Sequence, residues 1–173
     1  MHRHRSLLLL FLLPFLISAA EPKKEIIEVY FSPKGGCTDA IVREIGRATK
    51  TLRIQAYSFT SVPIAKSIVE AQKRGVKVEA LLDKSNRTDR YSSATFLNNQ
   101  GMTVLIDAKH AIAHNKIMLI DDAVLITGSF NFSKAAEESN AENLLVIRNQ
   151  PELIRQYVAN YDLHRTHSQS YEP

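Results

Sequence analysis

A layered α/β/α domain built on a mixed central sheet is the fold the sequence predicts, and three observations predict it. Short runs rich in Val, Ile and Leu alternate along the chain with segments whose apolar residues recur every three to four positions, the pattern of strands interleaved with helices. Two apolar runs meet at Asp121-Asp122, which reads as a tight hairpin turn and makes at least one strand pair antiparallel. Both faces of those two runs are apolar, as expected of central strands covered on both sides.

The elements follow in order. Residues 25–32 form a strand ended by Pro33-Lys34-Gly35-Gly36, and residues 38–49 place Ile41, Ile45 and Ala48 on one helical stripe. Residues 51–58 are the next strand. Pro63 opens a helix carrying Ile64, Ile68 and Ala71, and Gly75 stops it, with proline near the start and glycine past the end. Residues 76–82 follow as a buried strand, 92–100 as a helix closed by Gly101, and 102–106 as a short strand. Beyond the hairpin come a helix after Ser133, a strand over 143–148 and a last helix from Pro151 to about His164. Residues 166–173 read as a loose polar tail. There is no internal repeat or low-complexity tract.

Composition bounds the rest. The first 20 residues combine Arg3 and Arg5, flanked by His2 and His4, with an apolar run over 7–17 and Ser18-Ala19-Ala20 before Glu21. That is the pattern of a secretory signal with a small-residue cleavage site. The apolar run is too short to span a bilayer and holds Pro14. Cleavage after Ala20 leaves one domain over residues 21–165 and the tail. The mature product is expected to be exported, to a periplasm or beyond the cell, without stable membrane insertion. The whole chain carries a formal +4, and loss of Arg3 and Arg5 leaves +2. Nucleic-acid binding therefore needs a local patch. The candidates are Lys84, Arg87 and Arg90, together with Lys109, His110 and Lys134. Cys37 is the sole cysteine, which excludes an intrachain disulfide. It stands at a helix start, where a thiol can be activated, but a partly buried inert thiol is the ordinary reading. His110 and His114 are four apart on loop and strand, and no further Cys or His has recognised zinc spacing. Neither a metal nor a cofactor is expected.

The chemistry concentrates in His114-Asn115-Lys116-Ile117-Met118-Leu119-Ile120-Asp121 and Gly128-Ser129-Phe130-Asn131-Phe132-Ser133. Alternate strand residues share a face, so His114 and Lys116 point one way, as do Ser129 and Asn131. If Asp121-Asp122 is a two-residue loop, Met118 faces Leu125, Lys116 faces Thr127 and His114 faces Ser129; a slip of one residue would change these pairs. Taken singly, His114 is an ordinary surface histidine and Lys116 a snorkelling cation. Together they set a nucleophile-capable imidazole beside phosphate-binding groups, which reads as a phosphodiester-cleaving site.

The pattern His-x-Lys-x4-Asp followed by Gly-Ser-x-Asn resembles the signature of the phospholipase D superfamily. Ala56-Tyr57-Ser58-Phe59-Thr60, the Gly128–Glu137 stretch and Asn140-Ala141-Glu142-Asn143 are similar to its small bacterial endonucleases, over residues 26–164. The resemblance implies that His114 attacks phosphorus and that Lys116, Asn131 and Ser129 bind the phosphoryl oxygens. Glu142 would orient the imidazole, and Asp121 would brace the turn. Members of the family commonly carry two motif copies, whereas this chain has one, so the resemblance further implies a twofold homodimer with the site at its interface. The function it implies is that of a metal-independent phosphodiesterase, foremost a nonspecific endonuclease cleaving DNA or RNA through a phosphohistidine. The alternatives are a lipid phosphodiesterase or a catalytically silent nucleic-acid-binding protein.

Overall fold

The computed structural model describes residues 26–173; the expected signal segment lies outside the described residues. In chain order the elements are β1 (Ile26–Ser32), α1 (Cys37–Arg47), β2 (Thr51–Ala56), α2 (Val62–Lys73), β3 (Lys77–Asp83), a 3₁₀ turn (Lys84–Arg87), α3 (Ser93–Asn99), β4 (Thr103–Asp107), β5 (Lys116–Ile120), β6 (Val124–Gly128), α4 (Lys134–Glu138), β7 (Glu142–Arg148), α5 (Pro151–His167) and β8 (Gln169–Ser170). The sequence signals account for most boundaries. Pro63 and Pro151 sit in the first turns of α2 and α5, where a missing N–H costs nothing. Gly75 and Gly101 take positive φ just past α2 and α3.

One mixed sheet runs in the order β1-β7-β6-β5-β2-β3-β4-β8. β2 lies near its centre, parallel to β3 and antiparallel to β5. All five residues of β5 are buried, which explains its unbroken apolar text. On one face Met118, Ile120 and Ile126 join the core beneath α1, α2 and α3. On the other, Ile117, Leu119, Leu125 and Ile147 pack with Ile154 and Tyr161 of α5. Each such side chain contributes roughly 1.5–3 kcal/mol by leaving water. Tyr161 is 1% exposed, and its hydroxyl donates to Glu79 Oε1 at 3.1 Å, which seats α5 on β3. The α5 layer does not extend over β1. Ile27, Val29 and Phe31 are 60%, 52% and 63% exposed, a row of alternate residues along one face of an edge strand.

Two expectations are corrected. The β5–β6 hairpin pairs Ile120 with Val124, Leu119 with Leu125 and Met118 with Ile126, one residue away from the predicted register. Asp121 and Asp122 do form the tight turn, both at positive φ, and the Ala123 amide donates to the Ile120 carbonyl. Ala123 then stands outside the ladder as an extra residue. Lys116, continuing that register, lies across from Gly128 and not Thr127. The tail is not loose: α5 continues to His167, β8 pairs with β4, and Tyr171 is 7% exposed with its hydroxyl 2.6 Å from Thr95 Oγ1. A buried aromatic anchors the segment that its polar neighbours suggested was free.

Candidate active site

His114 and Lys116 occupy the end of the sheet where β5 begins and β2 finishes. Ala56 pairs with Lys116, and the Tyr57 amide donates to the Asn115 carbonyl at 2.9 Å. His114 precedes the strand and is exposed, its ring 4.7 Å from that of Tyr57. Lys116 is 6% exposed, with Nζ 5.2 Å from the Tyr57 ring centroid and donating to the His114 carbonyl at 2.6 Å. Burial lowers the Lys116 pKa against the opposing pull of Glu142. An ammonium with one fixed acceptor, held in a poorly solvated position, is primed to take a phosphoryl oxygen as a further acceptor.

The loop to His114 is held from beneath by Asp83, which sequence reasoning did not single out. Asp83 is 2% exposed; its Oδ1 accepts from the Ser85 amide at 2.9 Å and its Oδ2 from the Ala113 amide at 2.7 Å. Burial works to raise the Asp83 pKa, and the bonds from Ser85 and Ala113 outweigh it and lower it. Asn86 donates to the Tyr57 main-chain carbonyl at 2.7 Å and ties the backbone that carries the Tyr57 ring to the turn after β3. An aspartate closing β3 was the available signal, since Asp is a common cap.

Phe130 and Phe132 are fully buried, and Phe132 stacks edge-on to Phe59 at 5.9 Å. The Phe132 carbonyl accepts from Thr60 and Ser61, tying this segment across the end of β2. Asn131 between the two phenylalanines must point the other way. Its Oδ1 is buried without a hydrogen-bond partner, a cost of about 1–3 kcal/mol that a ligand donor would relieve. Ser129 is exposed, and its Oγ accepts from the Asn143 amide at 3.0 Å and from Asn143 Nδ2 at 3.3 Å. Gly128 makes this possible: at φ 148°, an added Cβ would stand 2.3 Å from the Asn143 carbonyl oxygen.

The remaining candidates divide. Glu142 is near enough to act electrostatically on Lys116, but its Oε1 accepts from Asn140 Nδ2 at 3.2 Å and not from His114; the predicted orienting bond is not made within the chain. Asp121 lies at the far end of β5, roughly 15 Å from Lys116 at the rise of a strand. It accepts from Thr49 N, Thr49 Oγ1, Lys50 N and Thr51 N at 2.7–2.8 Å, so the turn that it braces is the one into β2, and it does not join the cluster. Of the basic residues, Lys84 donates to the His110 carbonyl, Arg87 donates to Gln169 Oε1, and Lys109 gives its backbone amide to Asp107. Arg90 lies over the exposed Tyr91 ring. Lys134 is elsewhere, paired with Glu138 at 3.6 Å and lining a cavity of about 450 Å³ with Asp39 and Glu137, acidic company unsuited to phosphate. Cys37 is fully buried and burial raises its pKa to about 11, which makes it inert. Outside this site, Asp107, His110, His164 and His167 converge, a grouping that sequence spacing did not reveal.

A family profile described as cardiolipin synthase, PLD-like domain, matches residues 41–164. The chain belongs to the phospholipase D superfamily. It is 39% identical over 142 residues to a phospholipase D of Rickettsia conorii, covering 82% of this chain and 70% of that one. It is 32% identical over 111 residues to a mitochondrial cardiolipin hydrolase of Danio rerio, covering 64% of this chain and 48% of that one. Among solved structures, the phospholipase D family member Nuc from Salmonella typhimurium superposes with a TM-score of 0.82 at 34% identity, over 87% of this chain and all of Nuc. NucT from Helicobacter pylori gives 0.80 at 26%, over 86% of this chain and all of NucT. As a member of this superfamily the chain is a phosphodiesterase-type hydrolase.

Proposed function

We propose that the chain is an endonuclease that cleaves DNA or RNA with little base specificity. The observation that carries this reading is the setting of His114: an exposed imidazole at the end of the sheet, with the buried Lys116 bonded to its carbonyl and Lys84 bonded to the His110 carbonyl on the loop that leads to it. Phosphate contacts of that kind hold a strand without reading bases. The match to Nuc and NucT over their full lengths supports it. In the proposed reaction a neutral His114 nitrogen attacks phosphorus, a nitrogen–phosphorus bond forms, and the leaving oxygen takes a proton from the partner's His114. Water then attacks the phosphohistidine, losing its proton to the partner's His114 and restoring both rings. Lys116, Asn131 and Ser129 stabilise the charge on the non-bridging oxygens.

The second histidine requires a second chain. The uncovered row of Ile27, Val29 and Phe31 on β1, next to β7 with Glu142 and Asn143 at its start, supports a twofold homodimer in which Glu142 reaches the partner's His114. No helix of the described residues is long and apolar enough to cross a membrane, and the basic and apolar pattern of residues 1–20 supports an exported enzyme, periplasmic or secreted.

A lipid phosphodiesterase is the second reading. The names of the Rickettsia and Danio relatives favour it, as does Ile112, 55% exposed two residues before His114. The deciding experiment presents the purified mature protein with supercoiled plasmid, single-stranded DNA, RNA, and vesicles of phosphatidylcholine or cardiolipin in parallel. Nicking of plasmid with intact vesicles supports the nuclease. Headgroup release or cardiolipin cleavage with every nucleic acid intact overturns it.

A further inference from the structure

Asp107 closes β4 with no exposed surface, and three imidazoles surround one of its oxygens. His164 Nδ1 lies 2.7 Å from Oδ2, His167 Nε2 3.3 Å and His110 Nε2 3.8 Å. The three rings crowd one another at centroid separations of 4.9, 5.4 and 5.3 Å. One ligand atom from each of the four residues falls within 4.8 Å of all the others. His164 and His167 share a face at the last turn of α5 through their three-residue spacing, while His110 comes from the loop between β4 and β5. Asp107 Oδ1 is separately held by the Lys109 amide at 3.1 Å, which leaves Oδ2 to face the rings.

One carboxylate oxygen cannot neutralise three protonated imidazoles packed this closely, whereas each neutral imidazole has one lone pair that it can give to an ion held among the rings. A tetrahedral ion with arms of about 2.0–2.1 Å has ligand-to-ligand edges of roughly 3.3–3.4 Å, and the distances from Oδ2 bracket that value. We propose that Asp107, His110, His164 and His167 form a zinc site, closed by four protein ligands and structural in role. Three nitrogens and one oxygen in a four-coordinate cage suit Zn²⁺ among divalent ions. No hydrogen bond or ring contact joins the cluster to His114 or Lys116 among the described residues. Its reach is mechanical: the ion pins the end of α5, and with it β8, to the loop that runs from His110 to His114. Ala113 on Asp83 then secures the second end of that loop.

The test strips the full mature protein with chelator, returns zinc, removes the excess and counts bound ion by mass spectrometry. Wild type should retain one ion per chain, and zinc at a hundredfold excess over its dissociation constant should raise the melting temperature by roughly 5–10 °C. His164→Gln and His167→Gln should weaken binding by more than the ~100-fold seen for outer-shell partners. His114→Ala should bind zinc like wild type, which separates this site from the proposed chemistry. Cobalt in wild type should give the intense visible bands of a tetrahedral centre, a readout that stands even if the glutamine variants fold poorly. Failure of stripped wild type to retain zinc, equal retention by His167→Gln, or a weak octahedral cobalt spectrum would each overturn the proposal.

Discussion

Lys116 gives its 2.6 Å hydrogen bond to the main-chain carbonyl of His114, two residues earlier. The cation of the motif thereby clamps the backbone that carries the imidazole. Lys116→Met should lower kcat by roughly 10²–10³, the usual cost of removing one charge-stabilising donor. It should leave the melting temperature unchanged or higher, because a buried ammonium is replaced by an apolar chain of similar length. The lowered pKa of Lys116 places the alkaline fall in kcat/KM below the ordinary lysine value of about 10.4. A pH–rate profile and a thermal melt check both.

Asp83 should behave as a positioning residue. Asp83→Ala removes the acceptor for Ala113, frees the His114 loop and leaves a buried donor unsatisfied, at a cost of about 1–3 kcal/mol. Turnover should fall more than KM changes, while Asp83→Asn, keeping one acceptor oxygen, should recover part of kcat. Equal kcat in both variants and wild type would contradict the role.

Asp121 should matter for stability alone. Burial works to raise its pKa, and the bonds from Thr51, Thr49 and Lys50 outweigh it and hold the carboxyl below its ordinary range. With a depressed folded-state pKa, its contribution is present above the unfolded value of about 3.9 and is lost as pH falls through the folded one. Asp121→Ala should therefore narrow the gap to wild type in acid, measured by denaturant melts from neutral pH downward, with kcat retained at 25 °C.

The β1 row tests the assembly. Val29→Glu or Phe31→Glu places a charge on the exposed face of an edge strand and costs little in a folded monomer. In sedimentation these variants should run as monomers, and activity should vanish with the dimer. An active monomer would remove the need for a second histidine.

The strands and helices were legible because their punctuation is local: Pro63 with Gly75, Gly101, and Pro151 each act within a turn. His114 and Lys116 were legible as neighbours through their two-residue spacing at the start of β5. The hairpin register was not, because Ala123 could sit in or out of the ladder without changing any apolar run. Nor was the Asp107 cluster. Its carboxylate and His164 lie 57 residues apart, and only the packing of α5 on the sheet brings them together. Tyr171 misled for the same reason, since a lone aromatic in polar text gives no hint of Thr95.

β8 contributes only two residues to the sheet, yet it occupies the outer side of β4. Without it the outward-facing backbone groups of β4, among them the Val104 carbonyl that accepts from Tyr171, would stand unpaired along an open margin, a template onto which another extended chain could add. Ending the chain before Gln169 would leave the catalytic end of the sheet intact in composition but expose that margin. The short strand is thus a guard against strand addition at that edge, leaving β1 as the uncovered edge of the sheet.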